Sequence, residues 1–317
     1  MKVSSQLVLI LEGTVANKVM QGIIRAAFIT FSGPVMNLHH HCFVCTQRRQ
    51  LLQGISVLLI APSATLPVVL ARDGVDVGNN SAFGKLVPAD TVERSAAQQY
   101  SQMLQQAAAQ DALGGKDHPQ VRRLRAIANK LIPFSLPWNP RAKDWQWEIN
   151  LIGSKQINAF CMPGGKIAFY TGILEQLKLT DDEVASVMGH EIAHALREHA
   201  RARMGKTAAT GLGANLLGQV LGLGSLGQTV TNYGAQLLTL QFSRSDESEA
   251  DLVGMELAAR AGYDPKAGVS LWQKMAAASR GAPPQWLSTH PSGNTRISDI
   301  ERNLPKVTPL YERAPKG

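Results

Sequence analysis

Val187-Met188-Gly189-His190-Glu191-Ile192-Ala193-His194-Ala195-Leu196 is the stretch on which the reading of this chain turns. Just before it, Thr180-Asp181-Asp182-Glu183 has the pattern of a capping box. There a threonine and a glutamate three residues on satisfy each other's backbone N–H, so a helix is expected to start here and run through Leu196. His190 and His194 are then one turn apart on one face and can take two positions around a tetrahedral zinc. Glu191 sits beside that face, where it can reach a metal-bound water without ligating the metal. The chain has eight histidines, and chance would supply an HExxH about 0.008 times in such a composition. Apolar flanks strengthen the reading, because two unpartnered histidines on a buried helix are costly.

A catalytic zinc takes three protein ligands and keeps one position open. An HExxHxxGxxH pattern would need Gly at 197 and His at 200, but Arg197 and Ala200 stand there. His199 falls elsewhere on the helix and is expected at the surface. The remaining source is a carboxylate, and Ser243-Arg244-Ser245-Asp246-Glu247-Ser248-Glu249-Ala250-Asp251 offers one. Glu247 and Asp251 share a helix face, so Glu247 can ligate while Asp251 holds a ligand histidine from behind. Glu249 is the rival; about 200° round the helix from Glu247, it has no aligned second carboxylate.

The rest of the composition narrows the class. The 317 residues are 44% hydrophobic and 18% charged, enough for a substantial core. The net charge of +8 could suggest a nucleic-acid partner. Half of that surplus lies in residues 1–71, where five bases face only Glu12. The remainder has no basic run and few aromatics to stack on, so nucleic-acid binding is excluded. Three cysteines are too few for a disulfide framework.

Residues 1–71 read as a leader and 72–317 as a single domain. Arg48-Arg49 precede the uncharged, apolar run from Leu51 to Ala71, the layout of an export signal of twin-arginine or general type. Cleavage is expected after Ala71, with Met36 an alternative start. This implies a periplasmic protein, with peripheral membrane association left open. His39, His40 and His41 fall in the leader and receive no role.

Beyond a flexible lead-in over 72–90, helices are expected at about 91–109 and after Pro119. A strand is expected from the alternation of Trp145, Trp147, Ile149 and Leu151. A hairpin is expected about Pro163-Gly164-Gly165, and helices at 244–261, 265–279 and 291–303. Residues 207–243 carry no charge but seven glycines, which suits packed helices or a flap better than a membrane span.

Taken together, HEIAHALREH, the later ESEAD, Asn158-Ala159-Phe160 ahead of Pro163-Gly164-Gly165, and His290-Pro291 with Arg296 resemble the HtpX/CAAX-protease-type zinc endopeptidases. The nearest branch is the soluble periplasmic, BepA/LoiP-like one. The resemblance covers about residues 92–304. It implies an α+β gluzincin fold, mostly helical, with a small edge sheet beside the HExxH helix. It implies one Zn2+ per chain held by His190, His194 and Glu247, with Glu191 as the base. Asp251 and Arg296 would support the site, and His290 would stand near the metal, stabilising the oxyanion or capping the zinc. Substrate would lie extended against Asn158, Ala159 and their strand. The expected activity is hydrolysis of unfolded or misfolded envelope proteins. A zinc-bearing periplasmic chaperone or outer-membrane assembly factor with incidental proteolysis is the alternative. The resemblance is not expected to extend to the C-terminal helical-repeat region of one branch member or to the lipid anchor of another.

Overall fold

A computed structural model describes residues 73–210, 237, 240–279, 284–291 and 295–316. The expected leader and most of the uncharged 207–243 segment lie outside the described residues.

The element order is α1 (Ala89–Ala109), α2 (Pro119–Leu131), β1 (Glu148–Ile152), β2 (Ala159–Met162), β3 (Lys166–Tyr170), α3 (Thr171–Gln176), α4 (Asp181–Leu196) and α5 (His199–Ala209). After the glycine-rich stretch come α6 (Arg244–Arg260), α7 (Ala267–Ala278), α8 (Gln285–Thr289) and α9 (Arg296–Arg313). The fold is α+β and mostly helical, as expected.

Helix α4 is the axis of the molecule. Its capping box forms as the sequence predicts: Glu183 N–H donates to Thr180 Oγ1 and Thr180 N–H to Glu183 Oε2. From Val187 to Leu196 every residue is buried, the property of a helix packed on all sides. Ile192 is fully buried, so truncation to alanine there is worth about 2–5 kcal/mol. Helix α6 has its own box, in which Ser243 Oγ accepts from Asp246 N–H while Ser243 N–H donates to Asp246 Oδ2. The two helices touch backbone to backbone. A Cβ on Gly189 would lie 2.7 Å from the Gly254 carbonyl oxygen, and one on Gly254 would lie 2.6 Å from His190 N.

The sheet has the order β1-β3-β2, with β1 parallel and β2 antiparallel to β3. The β2–β3 turn needs glycine, since Gly164 and Gly165 have φ of 83° and 78°. β2 is an edge strand beside α4. β1 begins at Glu148, so Trp145 and Trp147 precede the strand predicted to include them. They pack on each other instead, with ring centroids 5.3 Å apart.

Three further expectations change. The lead-in is fastened: Val75 N–H donates to Glu256, Arg197 reaches the Gly78 carbonyl and Arg260 the Asp73 carbonyl. Helix α7 starts at Ala267, two residues after Pro265, because Asp264 Oδ1 accepts from Lys266 N–H in a turn of its own. Pro291 does not start a helix. α8 ends at Thr289 with His290 as its cap, and α9 runs from Arg296 to Arg313, ten residues past the predicted end, despite Pro305 and Pro309. Buried Val307 and Leu310 anchor that extension to the core. Among the described residues no helix is long and apolar enough to cross a membrane.

Candidate metal centre

On α4 the Nε2 atoms of His190 and His194 face each other at 3.1 Å. Helix α6 brings Glu247 against both, with Oε1 3.3 Å from His194 Nε2 and Oε2 3.5 Å from His190 Nε2. A fourth donor comes from the end of α8: His290 Nδ1 is 3.0 Å from Glu247 Oε1 and 3.3 Å from His190 Nε2. One ligand atom from each of the four lies within 4.8 Å of the others. None of the four residues is more than 3% exposed. Two imidazole nitrogens and a carboxylate oxygen converging in a buried space are the donor set of a catalytic zinc site, so these residues fit the metal.

The surroundings keep His194 and Glu247 in ligating form. Burial holds the His194 imidazole neutral, well below its ordinary pKa. Burial alone would raise Glu247, but its contacts with His194 and His290 outweigh it and hold the carboxyl below the usual range. Behind His190, Asp251 Oδ1 is 3.0 Å from Nδ1. Asp251 is pushed up by burial and pulled down further by Arg296 and His190, so it stays ionised. Arg296 clamps both acids, donating to Asp251 at 2.5 and 2.8 Å and to Glu247 at 2.7 Å. Its guanidinium lies 3.6 Å over the Trp272 ring, which in turn stacks on Trp286.

Glu191 is buried beside the cluster. Its Oε1 accepts from Trp286 Nε1 at 2.6 Å and is 3.6 Å from His290 Nε2. Phe242 lines the cleft at the cluster, its ring centroid 4.0 Å from that of His194, and Phe242 N–H donates to the Thr289 carbonyl. A cleft runs from the cluster along β2, past Asn158, Ala159 and Phe160. Asn158 is tied inward, its carbonyl accepting from Tyr170 N–H and its Oδ1 from Ala159 N–H.

The structure therefore gathers His190, Glu191, His194, Glu247, Asp251, His290 and Arg296 at one point, with Asn158 and Ala159 at the cleft wall. One reading changes. His199 is buried rather than exposed, because Glu198 adopts a left-handed conformation (φ 55°) that breaks the helix and turns His199 back onto His194. Glu249 points away from the cluster's ligand atoms and pairs with Arg197 and His199. Trp286 and Phe242 escaped the sequence reading. Trp286 left one signal, its four-residue spacing from His290; Phe242 left none.

A model of peptidase family M48 matches residues 118–304. The chain belongs to peptidase family M48. This M48 chain is 33% identical over 236 residues to the mitochondrial metalloendopeptidase OMA1 of Schizosaccharomyces pombe, covering 74% of this chain and 66% of that protein. It is 35% identical over 217 residues to the mitochondrial metalloendopeptidase OMA1 of Bos taurus, covering 64% of this chain and 40% of that one. It is also 33% identical over 196 residues to the beta-barrel assembly-enhancing protease of Yersinia pestis, covering 59% and 39%. The M48 chain thus spans less than two thirds of the length of each of these relatives. Membership makes it a metallopeptidase by family, as the motifs led us to expect.

Proposed function

We propose that this chain is a zinc-dependent endopeptidase that hydrolyses unfolded or misfolded cell-envelope proteins. The observation that carries the reading is the convergence of His190, His194 and Glu247 with Glu191 beside them. Bound there, zinc would supply a Lewis acid that acidifies water and polarises the scissile carbonyl. Glu191 takes the proton from the attacking water and delivers it to the leaving amine. Asp251 and Arg296 hold His190 and Glu247 in place. The Asn158–Met162 edge offers main-chain hydrogen bonds to an extended substrate, a mode that tolerates varied sequence. His290 acts as a cap: its Nδ1 stands among the ligand atoms, where a substrate or water would otherwise approach.

The leader pattern supports export to the periplasm with cleavage near Ala71, and the Yersinia pestis relative is named for β-barrel assembly. Purified full-length chain, given an unfolded outer-membrane protein, should cleave it and contain one zinc per chain. Glu191→Gln should abolish cleavage. A variant that retained full activity would replace the peptidase with the chaperone reading.

A further inference from the structure

His194 turns Nε2 toward His190 and Glu247, which leaves Nδ1 facing away from the cluster. Histidine ligands almost always give that second nitrogen to a carboxylate, carbonyl or water. His190 follows the rule with Asp251. For His194 the partner is another imidazole, His199, whose Nδ1 is 2.9 Å from His194 Nδ1. Resting on the metal reading above, we propose that His199, backed by Glu249 and Arg197, is the positioning residue that fixes the tautomer and orientation of His194.

The proton inventory gives the direction. Two ring nitrogens 2.9 Å apart share one proton. If His194 Nε2 is to offer a lone pair to a metal, the proton sits on His194 Nδ1, and His199 Nδ1 accepts it. His199 must then carry its own proton on Nε2. That atom has no well-formed hydrogen bond, and the nearest partner, Glu249 Oε2, is 3.4 Å away, an electrostatic contact. Glu249 is at the same time paired with Arg197, so a carboxylate already engaged by a guanidinium faces His199. Arg197 donates to Glu249 and, through Nη2, to the Gly78 carbonyl.

The geometry that permits this is local. The left-handed Glu198 resets the helical phase, so His199 opens α5 and lays its ring edge-on to His194, centroids 4.9 Å apart at 77°. Each ligand histidine thus has its own carboxylate–arginine pair: Asp251–Arg296 for His190, directly, and Glu249–Arg197 for His194, through His199.

Zinc affinity of the full-length protein, measured by competition with a chelator, tests the assignment. His199→Phe keeps a ring and removes both nitrogens; His199→Asn keeps an acceptor near the Nδ1 position. His199→Phe should weaken zinc binding about 10–100-fold, as loss of such a partner typically does, while His199→Asn restores most of it. The metal-free melting temperatures should not follow that order. A packing role would produce the reverse, with Phe binding normally and Asn weakly, and that result overturns the proposal. Should His199→Phe not fold, 15N-labelled histidine spectra of zinc-loaded wild type decide. His199 protonated on Nε2 supports the proposal, and protonated on Nδ1 refutes it. Wild-type protein that takes up no zinc would sink the metal reading itself, and this inference with it.

Discussion

The indole Nε1 of Trp286 donates to Oε1 of Glu191 at 2.6 Å. Four residues on, His290 reaches the ligand cluster from the same short segment. Glu191 and the His190–His194–Glu247 cluster are therefore engaged by one piece of chain, itself held to Phe242 and Ile157 by main-chain bonds.

His290→Ala should consequently raise the basal rate on an unfolded-protein substrate severalfold while zinc content stays at one per chain. A fluorogenic assay reads it. A fall in rate with zinc retained would assign His290 to the transition state instead of the cap.

Glu191→Gln should lower peptide-bond cleavage by about 10²–10⁴-fold, the usual worth of a general base. The amide still accepts from Trp286, so fold and zinc content should be unchanged by circular dichroism and elemental analysis.

Glu247→Ala should lose zinc outright and leave Arg296 short of a buried partner. Asp251→Asn should keep the site but weaken it by about 10–100-fold. Glu249→Ala should retain stoichiometric metal. Elemental analysis of the three variants checks the order; zinc retained by Glu247→Ala and lost by Glu249→Ala would exchange their roles.

Glu183 sets an acid limit remote from the metal. Burial raises its carboxyl, but Lys274 at 2.6 Å, the Thr180 N–H and the Ser270 hydroxyl together lower it below its ordinary 4.5. A depressed folded pKa means the unfolded chain binds more protons in that window. The stabilisation is therefore complete above about pH 4.5 and lost as pH falls through the folded value. Glu183→Gln should cost about 1–2 kcal/mol at pH 7, at the modest end because Lys274 is partly solvated. The gap in melting temperature between wild type and variant should narrow on acidification below that point. A gap that widens would contradict the shift.

Much of this site was legible because its chemistry is local. The capping boxes at Thr180 and Ser243 fix where α4 and α6 begin, and four-residue spacing then sets which side chains share a face. His190, His194, Glu247 and Asp251 follow from that alone. What stayed hidden depends on a single dihedral angle or on tertiary placement. Helical periodicity misplaces His199 because it runs on past Glu198, whose left-handed turn has no strong sequence mark. Pro291 suggested a helix start, yet His290 closes α8, because Trp286 is drawn into the core beside Trp272. The lead-in looked mobile because glycine, asparagine and serine dominate it. Its anchors, Arg197, Glu256 and Arg260, lie more than a hundred residues away.

The contact between Gly189 and Gly254 has a consequence for reading relatives of this chain. A methyl at Gly189 would stand 2.7 Å from a carbonyl oxygen where ordinary contact begins at 3.4 Å. A metal site tolerates only about 0.2 Å in its bond lengths. Two hydrogen atoms on residues with no chemistry of their own thus act as the gauge between the ligand-bearing helices. A descendant could drift from glycine to alanine here, keep every letter of HExxH and ESEAD, and no longer hold a metal. Its motif would be intact and its catalyst gone.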